Sequence, residues 1–245
     1  MGACNHGPVS YAVFVDLAVP FNTLSARIAA ACERCGRDAS TVTLVAVSKN
    51  HPPEAVRGAA DLGVTVFGES RVQEARIKIG QCPSRLRWHF IGHLQSNKCR
   101  DAVHFFEMIQ SVDSLSLAEE INKWADKSGR TMPILLEVNV AGEASKYGYR
   151  PAAVLEDLLK INALRKIEIH GLMTVAPWSP EPEKARAFFR ALRELKIRGE
   201  EILGAPLPHL SMGMSGDFEV AIEEGATLVR VGTALFGERS KARKE

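Results

Sequence analysis

Lys49 closes the apolar run Leu44-Val45-Ala46-Val47-Ser48, where a buried strand would open into a loop. An amine above an apolar floor loses part of the hydration that sustains its ammonium form. Desolvation therefore favours the neutral amine, a nucleophile toward carbonyl carbon. Lysines also end many strands as solvated surface groups, so Lys49 gains meaning only from what stands at the other strand ends.

A second cluster follows the last apolar run. Leu228-Val229-Arg230-Val231 enters Gly232-Thr233-Ala234-Leu235-Phe236-Gly237. A glycine lets the backbone approach an anion closely, the N–H groups of a helix start cradle a phosphate, and Thr233 adds a hydroxyl. The plain alternative is an ordinary strand-to-helix turn. Strand alternation puts Arg230 and Gly232 on the same face, opposite Val231. Arg230 is then either a charge partner for a ligand or half of a structural salt bridge with Glu137 or Glu69. The preceding run, His209-Leu210-Ser211-Met212-Gly213-Met214-Ser215-Gly216-Asp217, offers Ser211 as a further phosphate donor. Ser215 or Asp217 suits a helix N-cap, and Met212 and Met214 suit either a ring face or core packing. His89, between Trp88 and Phe90, points inward as a core histidine or as a ligand contact, whereas His93 and Lys98 lie in polar loop sequence. The commonest aldehyde cofactor held by a lysine amine is pyridoxal 5'-phosphate (PLP).

The elements that must position these groups alternate. β-branched runs at 43–47, 64–67, 87–91, 108–111, 134–140, 167–174, 209–211 and 228–231 are separated by amphipathic stretches at 54–62, 72–79, 115–127, 152–161, 183–198 and 218–224, after an opening helix at 21–34. Strands alternating with helices imply parallel pairing, and eight such units imply a single α/β domain of the (β/α)8 TIM type, with a doubly wound open sheet as the alternative. The chemistry-bearing clusters fall at strand C-termini, where such barrels do their work. Residues 1–20 read as a flexible N-terminal extension and 21–240 as the barrel.

Bulk properties narrow the class. The chain has 245 residues with a formal net charge of +2, too small to argue for nucleic acid or a membrane surface, and no apolar run long enough to span a bilayer. Five cysteines, an odd number, suit a reducing cytoplasm. Cys32 and Cys35 form a CxxC inside a helical pattern with no second pair, which reads as ordinary helix and not as zinc or redox chemistry. No H-x-x-H, P-loop, G-x-G-x-x-G or G-x-S-x-G is present.

Six segments in order, Leu44–Lys49, Phe67–Glu74, Trp88–Lys98, Gly171–Thr174, Leu210–Asp217 and Val229–Gly237, resemble the PLP homeostasis proteins, stand-alone relatives of the alanine racemase N-terminal domain. The resemblance spans residues 21 to 240 and implies a barrel of PLP fold type III. It implies that Lys49 carries the cofactor as a Schiff base and that Gly232, Thr233, Ser211 and Ser215 hold the phosphate. It further implies that Arg230 faces the pyridine nitrogen, with Met214 nearby. The family's role is to carry or buffer PLP for vitamin B6 and amino-acid balance without robust catalysis, with apo-enzymes as recipients. Arginine opposite the ring nitrogen disfavours the protonated ring that makes PLP an electron sink. The C-terminal β-domain that gives alanine racemase its second base and dimer interface is not expected, which implies a monomer. Two departures stand out: Ser70 and Arg71 where Asn-Tyr is usual, and His170 where arginine is often found. Lys146, in a matching loop, is a second amine near the mouth. The competing readings are a small PLP-dependent amino-acid racemase, a cofactor-free Schiff-base aldolase and an interaction module using PLP structurally.

Overall fold

The computed structural model describes residues 16–238. Strands β1 (Thr43–Val47), β2 (Val66–Glu69), β3 (Arg87–Phe90), β4 (Met108–Val112), β5 (Met132–Glu137), β6 (Ile167–Met173), β7 (His209–Ser211) and β8 (Leu228–Val231) pair in chain order, and β8 returns to β1 to close a barrel. Every pairing is parallel. The β1–β8 pairing, with Val45 opposite Arg230, rules out the open sheet. The outer helices are α1 (Ala18–Arg34), α2 (Pro53–Asp61), α3 (Val72–Ile79), α4 (Cys99–Phe105), α5 (Leu115–Lys127), α6 (Pro151–Asn162), α7 (Arg186–Leu203), α8 (Phe218–Glu223) and the short α9 (Thr233–Phe236).

Alternation along each strand divides the buried apolar residues into two bodies. Ala46, Phe67, Phe90, Ile109, Ile134, Leu136, Leu172, Leu210, Val229 and Val231 face the helices. Val45, Val66, Met108, Leu135, Met173 and Leu228 face inward and fill the barrel floor. One residue of slip would exchange the two sets, so this pattern fixes the register.

The last turns of the fold are sewn to its first helix. Arg27 donates twice to Glu219, at 2.8 and 2.9 Å. Arg34 pairs with Glu223 at 2.8 Å, and Arg37 donates to the Ile222 carbonyl at 2.7 Å.

The structure corrects several boundaries. The opening helix starts at Ala18, because the Asp16 carboxylate accepts the Ala18 N–H at 2.9 Å and Leu17 is buried. The expected division at residue 20 thus falls inside α1; residues 1–15 of that extension lie outside the described residues. Strand β5 ends at Glu137 and not at 140, because the chain then pairs with its own loop: Tyr149 N donates to Glu137 O at 2.7 Å and Asn139 N to Tyr149 O at 2.9 Å. Helix α4 was not expected. Its buried face is Cys99, Ala102 and Val103, too small to give a strong apolar period. Cys32 is buried on α1, and Cys35 donates to the Ala31 carbonyl at 3.3 Å, as ordinary helix residues do.

Candidate cofactor site

Lys49 sits half-buried just beyond β1, and Gly232 just beyond the neighbouring β8. A Cβ on Gly232 would lie 3.3 Å from the Val47 carbonyl oxygen and 3.4 Å from Val47 Cβ. Glycine at 232 therefore lets the end of β8 lie tight against the strand that carries Lys49. Thr233, the exposed first residue of α9, follows at once. The Leu235 and Phe236 N–H groups both return to the Gly232 carbonyl at 2.9 Å, so the outward-facing start of α9 is at Thr233. Ser215 reaches across from the loop after β7, its Oγ accepting the Ala234 N–H at 3.2 Å. Asp217 occupies the N-cap position of α8, but its carboxylate turns back to accept the Met214 N–H at 2.6 Å. Burial raises the Asp217 pKa, against the pull of that N–H and of Arg230. Met214 is half-buried in this loop, while Met212 is fully buried on the helix side, in the core.

Below the mouth, a directed chain of hydrogen bonds crosses the barrel. Arg230 donates to Ser211 Oγ at 2.6 Å and to the Thr174 carbonyl at 2.7 Å. Ser211 donates to Gln110 Oε1 at 2.6 Å, and Gln110 Nε2 lies 2.8 Å from His89 Nδ1. With the amide as donor, Nδ1 of His89 is the acceptor and the proton sits on Nε2, a buried atom with no hydrogen-bond partner among the described residues. Burial lowers the His89 pKa to about 4, so the ring is neutral near pH 7. Burial also lowers the Arg230 pKa to about 10, which the Glu137 and Asp217 charges resist. The partners of Arg230 are thus Ser211 and a carbonyl, with Glu137 acting through charge; Glu69 pairs elsewhere. Ser211 has one hydroxyl hydrogen, already given to Gln110.

Glu137 follows the inward Leu135 by two residues and so faces the same interior. Burial raises its pKa to about 7; Arg230 opposes that shift most and Asp113 reinforces it. At the rim, His93 Nδ1 lies 3.3 Å from Asp113 Oδ2, and its ring stacks on Tyr147 with centroids 3.7 Å apart. This stack holds the loop carrying the exposed Lys146 against the loop after β3. His170 is turned to Glu168 at 3.1 Å, and Arg71 is exposed at the start of α3.

Sequence reasoning missed two groups. Gln110, an uncharged residue within β4, links His89 to Ser211; no motif singles it out. Lys78, on α3, is buried against Glu69 at 2.7 Å and Glu74 at 2.6 Å. A lysine in the apolar phase of α3 was the available signal.

The fold and this arrangement define a class: barrels of the alanine racemase N-terminal domain, a family that matches residues 22–240. A protein of Aquifex aeolicus named "Pyridoxal phosphate homeostasis protein" is 46% identical over 214 residues, covering 87% of this chain and 94% of that one. The structure of PipY from Synechococcus elongatus with PLP bound matches at 39% identity with a TM-score of 0.76, covering 87% of this chain and 100% of that one. Alanine racemase of Clostridium difficile shares the fold at 16% identity, with a TM-score of 0.71 over 94% of this chain and 58% of its own. The chain belongs to the pyridoxal phosphate homeostasis protein family.

Proposed function

We propose that this protein binds PLP and carries or buffers it for vitamin B6 and amino-acid homeostasis. One observation carries the reading: a half-buried lysine and a glycine-opened helix start stand side by side on β1 and β8, above a buried arginine. The residues fit the group. Glycine at 232 lets the end of β8 close on Val47, and the hydroxyls of Thr233 and Ser215 with the start of α9 form a donor set that suits a phosphate. When bound, PLP supplies an aldehyde carbon that an amine attacks reversibly.

In this reading Lys49 presents the amine, and Gly232, Thr233 and Ser215 hold the phosphate at the start of α9. Arg230 faces the ring nitrogen, locked in direction by Ser211 and the Thr174 carbonyl. Met214 flanks the ring. Ser211 and His89 act one layer deeper, through the chain that orients Arg230, and not as direct phosphate contacts. The relatives are named for homeostasis and not for racemisation, which supports a carrier over an amino-acid racemase. The proposed setting is a cytoplasmic monomer, organised as one barrel domain, that hands PLP to apo-enzymes. Among the described residues no helix is long and apolar enough to cross a membrane.

The test is the visible absorbance of the purified protein with PLP, before and after borohydride, followed by peptide mass. A reducible band and a mass gain on the Lys49 peptide are expected. A colourless protein that takes up no added PLP would move a phosphate-sugar aldolase to the front.

A further inference from the structure

The two peptide units flanking Lys49 are both held by one cluster, in which Lys78 and Glu69 are buried and Glu74 is half-buried. The carbonyl of the Ser48–Lys49 peptide accepts from Lys78 Nζ at 2.5 Å. The N–H of the Lys49–Asn50 peptide donates to Glu74 Oε1 at 2.5 Å. Lys78 Nζ joins the two by donating to that same Glu74 oxygen at 2.6 Å, and it spends its third proton on Glu69 Oε1 at 2.7 Å. Ser48 Oγ donates to the same Glu69 oxygen at 2.7 Å, and Ser48 N donates to the Gly68 carbonyl at 3.2 Å. His51 N closes the turn on the Ser48 carbonyl at 3.0 Å. Asn50 takes φ +62°, a left-handed conformation that a side chain adopts only where the surroundings impose it.

Fixing the peptide planes on both sides of a Cα fixes that residue's φ and ψ, and with them the direction of its Cα–Cβ bond. Burying an ammonium and a carboxylate costs free energy, and such a pair is weak evidence for stability alone. Lys78 and Glu69, with side chains 5% and 0% exposed, stand immediately behind the one residue whose aim matters most.

We propose that Lys78, Glu74 and Glu69 are positioning residues that set the backbone of Lys49 and so aim its amine at the carbonyl carbon of its ligand. The inference rests on the reading that Lys49 is the attachment point. None of the three need touch the ligand. Lys78→Met would strand Glu69 as a buried, unpaired carboxylate and endanger folding. Glu74→Ala is the deciding variant, because it releases the Asn50 N–H and leaves the Lys78–Glu69 pair in place.

The experiment measures PLP retention at Lys49 by absorbance and borohydride-trapped peptide mass, with thermal unfolding of the same full-length samples. Glu74→Ala should weaken retention about tenfold at a near-unchanged melting temperature. Glu74→Gln, whose amide oxygen still accepts from Asn50 N–H and Lys78, should restore most of it. Wild-type retention in Glu74→Ala would overturn the inference. So would a Glu74→Gln loss as deep as that of alanine, since charge and not bracing would then carry the effect. If the wild-type protein itself traps nothing on Lys49, it is the proposed function that falls, which the wild-type sample reports separately.

Discussion

Two layers of the barrel interior sit a few residues apart and obey opposite rules. The floor is six apolar side chains from six strands, Val45, Val66, Met108, Leu135, Met173 and Leu228. The layer above is polar, with His89, Gln110, Ser211 and Arg230 in one directed chain and Glu137 beside it. The floor is satisfied by any tight filling of volume, whereas the polar layer is satisfied only when each donor meets its acceptor. In the proposed function the first layer supports the barrel and the second orients the ligand, even though the same strands build both.

That division can be broken from either side. The largest effect should come from Lys49→Ala, which removes the trapped PLP mass altogether yet shifts stability by less than about 1 kcal/mol, as expected for a half-buried residue beyond a strand end. Leu135→Ala should do the reverse in denaturant unfolding. It should lose about 2–5 kcal/mol, because a fully buried floor side chain leaves a cavity, while PLP still attaches at Lys49. Comparable loss of attachment in Leu135→Ala would show that the two layers are one unit.

Acid sharpens the contrast within the polar layer. The His89 pKa falls from 6.5 to about 4 on folding, so the unfolded chain binds more protons in that window, and this contribution is lost as pH falls through it. The Glu137 pKa rises from 4.5 to about 7, so its contribution has the opposite sign and is lost as pH rises. Each is worth up to about 3 kcal/mol, and the two slopes oppose one another between roughly pH 4.5 and 6.5. Unfolding free energies for Glu137→Gln should then show a clear rise with pH across that range and greater stability than wild type above pH 7. A flat profile would mean that the raised carboxylates Asp217 and Glu69 cancel the His89 slope or that His89 is not buried neutral.

Gln110→Leu breaks the polar layer from within. It strands the Ser211 hydroxyl and His89 Nδ1, at about 1–3 kcal/mol for each unmade bond, and loosens Arg230. Urea midpoints and the absorbance maximum of bound PLP should both move; a shift in stability with an unmoved spectrum would separate Arg230's orientation from the chain below it. The smallest effect belongs to Tyr147→Ala at the rim. Losing the ring stack on His93 should cost about 0.5–1.5 kcal/mol of local closure and speed PLP release a few-fold in stopped-flow exchange.

Much of this architecture is legible in the sequence because parallel strands buried on both faces write themselves as apolar, β-branched runs. Thr43–Val47 and Leu228–Val231 end where those runs end. Arg230 and Gly232 share a face because alternation leaves no other choice. Less was legible where sequence-distant residues decide. The sequence shows Ser211 as a strand-end hydroxyl but not its acceptor Gln110, 101 positions away, which only the closed barrel brings to it. Lys78 reads as one more helix lysine until the fold brings the Ser48 carbonyl to it from 30 residues away. Cys99–Phe105 reads as loop because small buried residues give a helix its face without an apolar signal.

The stitching of α1 to α8 also has a consequence in time. Arg27 and Glu219 are 192 residues apart, and β1 meets β8 across a similar span. At about 5–20 residues per second, a growing chain waits on the order of 10–40 s between making the two halves of this seam. Through that interval Leu24 and Ile28 have no α8 to lie against, and Lys49 has no Gly232 beside it. If Lys49 and Gly232 hold the cofactor as proposed, a chain that ends before β8 lacks half of the site and should not capture PLP.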